Sequence, residues 1–168
     1  MPSGLESIYA AFYTSNLTTL NSNTSLFSSC TSLGNVDGVF ANNPSLSTIP
    51  SGLFVNCPVT SARWFAASSG ITSLPNNLFS TTNGKTINGE YLFASCSSLN
   101  SNLSNFMKNN TTFTNLNYAF SKTAFSSLPN GVLSSNCQKS LTSAVGMFSG
   151  CKQLTSLPNY LVRSDEDT

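Results

Sequence analysis

The groups in this chain that could do chemistry are hydroxyls, thiols, a few acids and amines, and phenols; histidine is absent. Without an imidazole there is no Ser-His-Asp or Cys-His relay, and the commonest zinc ligand is missing. Outside the last four residues the acids are Glu6, Asp37 and Glu90. Paired carboxylates for glycoside hydrolysis must sit about 5 to 10 Å apart in one cleft. These three fall in different stretches at loop-like positions and read as solvated surface acids. The cysteines, Cys30, Cys57, Cys96, Cys137 and Cys151, form no CxxC pair, and an odd number cannot pair completely. Against a metal site or disulfides stands the plainer reading of small buried apolar residues, reduced and metal-free. Glycine-rich phosphate cradles are also missing. The expectation is a non-enzyme with no cofactor.

Two sets of residues could bind. Ser/Thr pairs recur at Thr18-Thr19, Ser47-Thr48, Thr72-Ser73, Ser126-Ser127 and Thr155-Ser156. If their segments stack, the hydroxyls align on one face, and Thr18, Ser47, Thr72, Ser126 and Thr155 are the candidate ligand face. The same hydroxyls would serve equally to solvate a sheet. The second set is Tyr9, Tyr13, Trp64, Tyr91, Tyr118 and Tyr160, amphipathic aromatics that stack on sugars or proteins when exposed, or pack between neighbours when not. Charge narrows the partners. Asp, Glu, Lys and Arg make up 8% of the residues, against about 25% in ordinary soluble domains. Lys85, Lys108, Lys122, Lys139 and Lys152 are scattered, and no cationic groove for nucleic acid results. No apolar run reaches the roughly 18 residues of a membrane span, so no membrane insertion is expected. Residues 1–5 carry no signal-peptide pattern and resemble the stretch 49–53, as in a fragment of a longer repeat protein. Asn-x-Ser/Thr triplets begin at Asn16, Asn23, Asn102, Asn109 and Asn110, as expected by chance in so Asn- and Ser-rich a chain.

The elements that must position these groups are set by a phenylalanine that returns about every 27 residues. It stands at Phe12, Phe40, Phe65, Phe93, Phe120 and Phe148, with gaps of 28, 25, 28, 27 and 28. A second anchor, Phe27, Phe54, Phe79, Phe106 or Leu133, lies between successive main anchors. A fixed period in this range points to stacked supersecondary units. Apolar-x-x-apolar steps predict short parallel strands at 46–49, 71–74, 125–128 and 154–157. The prolines that follow, with segments such as 11–12 and 76–79, predict one or two helical turns. The main-anchor phenylalanines are expected to form one buried spine.

The frame Met147-Phe148-Ser149-Gly150-Cys151-Lys152-Gln153-Leu154-Thr155-Ser156-Leu157-Pro158 resembles the BspA-like leucine-rich repeats of bacterial surface proteins. Leu141-Thr142-Ser143-Ala144-Val145-Gly146-Met147-Phe148 is similar to the ending of the related mycoplasma-lipoprotein repeat, and Val59-Thr60-Ser61-Ala62-Arg63-Trp64-Phe65 less so. The resemblance runs from about Ile8 to Val162 and is weakest in the Phe93 to Phe120 copy. It implies a right-handed, leucine-rich-repeat-like solenoid with a short strand and helical turns in each coil. That gives one repeat domain over 1–164, of about six coils, and an acidic tail at 165–168. It also implies an extracellular or cell-surface protein, or a virion component, since relatives include phage-encoded chains. The expected function is non-catalytic recognition or adhesion, with a protein or glycan on another cell or in an assembly as partner. The alternative is a structural or decoration subunit making end-to-end contact with further repeats or another subunit. Ice binding by the hydroxyl face is weaker, because Ser and Asn interrupt the Thr.

Overall fold

The computed structural model describes residues 3–20, 24–79, 85–101, 103–109, 113–133 and 135–161. Among them regular secondary structure is sparse. There is a 3-10 turn at Thr24–Phe27, the helices α1 (Leu103–Asn109) and α2 (Ser135–Ser140), and the strands β1 (Ile87–Asn88) and β2 (Phe113–Asn115). The two strands form a single parallel sheet, pairing Ile87 with Phe113 and Asn88 with Asn115 across a register irregularity. This overturns the expected fold class: the chain is not a leucine-rich-repeat solenoid with a strand and helical turns in every coil. Segments 46–49, 71–74, 125–128 and 154–157 carry no strand, and 11–12 and 76–79 are not helical. The acidic tail lies outside the described residues.

At the end of 71–74, and just past the prolines at 75 and 158, side-chain oxygens take backbone donors that a continuing strand would use, a competition to which Ser and Asn are suited. Leu74 N–H donates to Ser101 Oγ (3.0 Å), Asn76 N–H to Ser51 Oγ (3.1 Å) and Asn159 N–H to Asn130 Oδ1 (3.0 Å). What replaces strands is a file of single parallel bridges. Ser7 pairs with Asn35, Asn35 with Ser61, Ser61 with Asn88, and Asn115 with Ser143; the sheet supplies the link from Asn88 to Asn115. Beyond each bridge the next backbone donor is again captured. Asn35, Asn88 and Asn115 each accept, through Oδ1, the N–H two residues on, at 2.9, 3.1 and 2.8 Å. Where the file holds Ser61 or Ser143 instead, the preceding turn reaches across. Asp37 Oδ1 accepts from Ser61 Oγ (2.6 Å) and Arg63 N–H (2.7 Å). Asn117 Oδ1 accepts from Ser143 Oγ (2.6 Å) and Val145 N–H (2.7 Å). A turn follows each bridge, with positive φ at two residues four apart: Ala10 and Thr14, Gly38 and Asn42, Trp64 and Ser68, Tyr91 and Ser95, Tyr118 and Lys122, Gly146 and Gly150. Left-handed residues end any extended run.

Backbone bonds between these turns define the core's register. Phe12 N–H donates to Val39 O, Phe40 to Phe65 O, Ala66 to Leu92 O, Phe93 to Ala119 O and Phe120 to Met147 O, all at 2.8 to 3.1 Å. Residues 12, 40, 66, 93, 120 and 148 are therefore in line, and Ala66 rather than Phe65 holds the third anchor position. Phe65 projects one residue early, yet its ring still enters the core. The shift shows in the ring geometry. In-line pairs stack, Phe12–Phe40 at 9°, Phe93–Phe120 at 15° and Phe120–Phe148 at 16°. Phe65 meets Phe40 at 89° and Phe93 at 78°. The ring spine is thus continuous, buried through its middle and partly exposed at Phe12 and Phe148. A second line, Phe27, Phe54 and Phe79, stacks beside it, and Phe54 meets Phe65 edge-on at 5.8 Å. In α1, Phe106 makes the same edge contact with Phe93 (5.7 Å). Each such pair contributes about 0.5 to 1.5 kcal/mol beyond its buried area.

Candidate functional site

The first left-handed position of each turn is held in succession by Ala10, Gly38, Trp64, Tyr91, Tyr118 and Gly146. Because all share one backbone conformation, their side chains leave in one direction and the aromatic ones stack. Trp64 and Tyr91 lie 5.8 Å apart and Tyr91 and Tyr118 5.1 Å apart, each pair within 10° of parallel. A bulky residue in this conformation costs roughly 1 to 2 kcal/mol, which stacking offsets. One end of the three-ring stack is closed, since a Cβ at Gly146 would collide with the Tyr118 ring. At the other end stands Gly38, where a Cβ would meet nothing within 4 Å. The space forms a cleft of about 360 Å³, lined by Tyr9, Tyr13, Gly38, Asn42, Trp64 and Ser68 among others. Tyr9, Tyr13 and Trp64 are 65%, 54% and 41% exposed. Asn42 Nδ2 donates to the Tyr13 hydroxyl at 3.3 Å. None of the described side chains lining the cleft is charged.

Beside Trp64 lies an ion pair that the sequence does not announce. Asp37 is fully buried, and its Oδ2 accepts from both Arg63 Nε (2.9 Å) and Nη2 (2.8 Å), two charge-assisted bonds converging on one oxygen. The hydrogen bond and charge of Asp37 hold the Arg63 guanidinium above its ordinary pKa. The guanidinium carbon lies 5.3 Å from the Trp64 ring centre, so Arg63 is fixed between the carboxylate and the indole. Asp37 is thus an internal tie and not a solvated surface acid; Glu6 is exposed as expected.

No family model, no curated protein and no solved structure matches the chain. Its own geometry must carry the functional reading. The hydroxyl residues Thr18, Ser47, Thr72, Ser126 and Thr155 are all exposed. The structure joins Ser47 and Thr72, through Thr72 N–H (2.9 Å) and Oγ1 (3.3 Å) on Ser47 O. Thr18, Ser126 and Thr155 sit in segments without strand or bridge. Of the aromatic candidates, Tyr9, Tyr13 and Trp64 share the cleft, Tyr91 and Tyr118 extend its wall, and Tyr160 lies apart with its carbonyl accepting from Gly131 N–H.

The five cysteines are free and buried. Cys57, Cys96 and Cys151 are more than apolar filler. Cys96 Sγ donates to Ala66 O (3.1 Å) and Cys151 Sγ to Phe120 O (3.2 Å). Ser69 Oγ does the same to Phe40 O (2.8 Å) and Asn43 Nδ2 to Phe12 O (2.9 Å). In each case the residue three after an anchor position ties to the carbonyl of the anchor one turn back. Cys57 Sγ on Phe27 O (3.4 Å) repeats the device in the second ring line. The signal was available in the sequence as small donors, Asn43, Ser69, Cys96, Thr123 and Cys151, sharing one slot. Burial pushes the Cys96 thiol up to about 12 and the Cys137 thiol to about 11; burial, then Cys30, raise Cys57 to about 11. Among the described residues no cluster of His, Cys, Asp and Glu could hold a metal ion, and no helix is long and apolar enough to cross a membrane.

Proposed function

We propose that the chain is a non-catalytic recognition module whose partner is a protein or glycan on another cell or in an assembly, in an extracellular or surface setting. The observation that carries this reading is the exposed aromatic group Tyr9, Tyr13 and Trp64 around an uncharged cleft. Rigid aromatics with polar tips supply contact area at little entropic cost. The chemistry elsewhere supports a binding role: Asp37 is locked on Arg63, and the raised thiols stay protonated and poorly nucleophilic at neutral pH. With little charge at the cleft, binding should vary weakly with salt. A glycan array and a cell-adhesion assay with the purified chain test the reading. Binding that survives 0.5 M salt and falls in Trp64→Ala is expected; no binding on either platform removes it.

A second reading, a subunit of a virion or surface assembly, rests on a different face. An apolar hollow of about 220 Å³ is lined by Val132, Leu133, Met147, Phe148 and Leu161, among others. Val145, adjoining it in sequence, is 59% exposed. Sedimentation over a wide concentration range would show self-association on this face; a constant monomer would set the reading aside.

A further inference from the structure

We propose that the cleft at Gly38 takes one neutral pyranose ring of a glycan, stacked on Trp64 as the missing rung of the Trp64–Tyr91–Tyr118 file. This rests on the recognition reading and names its ligand class.

Three observations converge. The first is the sequence of side chains at one repeated backbone position. Three consecutive turns carry rings 5.1 to 5.8 Å apart, and the far side of the stack is closed on Gly146. The turns before Trp64 carry Gly38 and Ala10 at that position, so the file stops although its backbone continues. A flat group in the cleft meets the part of the Trp64 ring that lines it, beside the Arg63 guanidinium 5.3 Å from the ring centre. Trp64 is backed by Tyr91, and its neighbour Arg63 is clamped by Asp37. Preorganisation of this kind removes much of the ordering cost of binding.

The second is size. About 360 Å³ is at the small end of ligand pockets, which run from about 300 to 1,000 Å³. That suits a sugar ring better than a folded segment of polypeptide.

The third is chemistry. Aromatic walls from Tyr9, Tyr13 and Trp64 meet polar groups from Asn42, Ser68 and the phenols, which both donate and accept. A pyranose presents the matching pair of surfaces, an apolar C–H face and a rim of hydroxyls. A purely apolar side chain would leave the polar rim dehydrated and unpaired, at a cost. A nucleotide would need a cation for its phosphate, and the Arg63 guanidinium is already engaged by Asp37.

Trp64 is the sole tryptophan, so a ring stacking on it reads out directly in the protein's emission. The whole chain is titrated with cellohexaose, maltohexaose and chitohexaose, and separately with N-acetylphenylalaninamide as a protein-like probe. At least one oligosaccharide should shift the emission saturably. Gly38→Tyr, which adds a ring at a cleft-lining position whose Cβ would meet nothing within 4 Å, should weaken that binding at least tenfold. Its φ of 62° is close to the 50° to 55° at which Trp64, Tyr91 and Tyr118 already sit, so the fold should accept it. Tyr13→Ala, at a half-exposed side chain, gives an independent variant with an expected loss of about tenfold, or about 1.4 kcal/mol. Emission unmoved by every oligosaccharide overturns the proposal, as does binding only of N-acetylphenylalaninamide. Undiminished oligosaccharide binding by both variants also overturns it. If the unmodified chain binds array glycans and both variants bind them equally, the cleft fails and the recognition reading stands. If the unmodified chain binds nothing, both fall.

Discussion

The carboxamide of Asn43 serves five backbone groups while fully buried. Its Oδ1 accepts from Ser15 N–H and Leu17 N–H, and the two protons of its Nδ2 are shared among the carbonyls of Phe12, Phe40 and Ala41, at 2.9 to 3.1 Å. Removing a partner so that buried groups stay unpaired costs about 1 to 3 kcal/mol each, less whatever water recovers. Asn43→Ala should therefore lose about 3 kcal/mol in denaturant unfolding; a loss below about 1 kcal/mol would mean that solvent replaces it. The buried thiols make a second prediction at this scale. Cys57, Cys96 and Cys137 are raised from the ordinary 9.0 to about 11, 12 and 11 in the fold. Below pH 9 both folded and unfolded chains hold these protons, and the thiols add no pH dependence. Above it the unfolded chain releases them first, so stability falls as pH rises from about 9 through 11 to 12. Cys96→Ala should flatten the decline over that window relative to the unmodified chain, measured by urea midpoints; an identical slope would show that the thiol ionises freely. The sequence showed where Cys57, Cys96 and Cys151 stand but not what they touch, because the carbonyl that each Sγ meets lies about 30 residues away.

At the scale of the element, the turn with its two left-handed residues was the least legible part. Gly38, Gly146 and Gly150 mark such positions by type, but Ala10, Trp64, Tyr91, Tyr118 and Lys122 adopt them with nothing local to announce it. Residues 11–12, inside the first of these turns, therefore read as helical, and the Ser- and Thr-rich step at 71–74 read as a strand because the capture of Leu74 N–H depends on Ser101, one turn away. Strain at an exposed left-handed residue can be tested. Lys122 holds φ 56° on an exposed site. Lys122→Gly should stabilise the chain by about 0.5 to 1 kcal/mol, since the relief of about 1 to 2 kcal/mol at positive φ exceeds the entropic cost of glycine. A destabilised variant would show that the lysine stem packs usefully along Gly150.

For the whole molecule, the period of about 27 residues was plain in the sequence, and the ring contacts follow it closely. Phe93 touches Phe65, Phe106 and Phe120 and is fully buried, whereas Phe12, among the described residues, stacks on Phe40 alone and is half-buried. Phe93→Ala should cost about 3 to 5 kcal/mol and Phe12→Ala clearly less. Equal losses in chemical unfolding would contradict this ordering of burial. What the period could not show is the one-residue offset at Phe65, because matching ring to ring ignores which residue the backbone aligns. That offset has a consequence for how such a gene can change. The bridge from Asn35 to Ser61 spans 26 residues and that from Ser7 to Asn35 spans 28, yet both close the same turn. A codon gained or lost in frame between two turns shifts a side chain by one place and leaves the file intact. The same event inside a turn would misalign the paired left-handed residues and the amide that caps them. Length variation among descendants of this chain should therefore gather between the turns, while the turns themselves keep constant length.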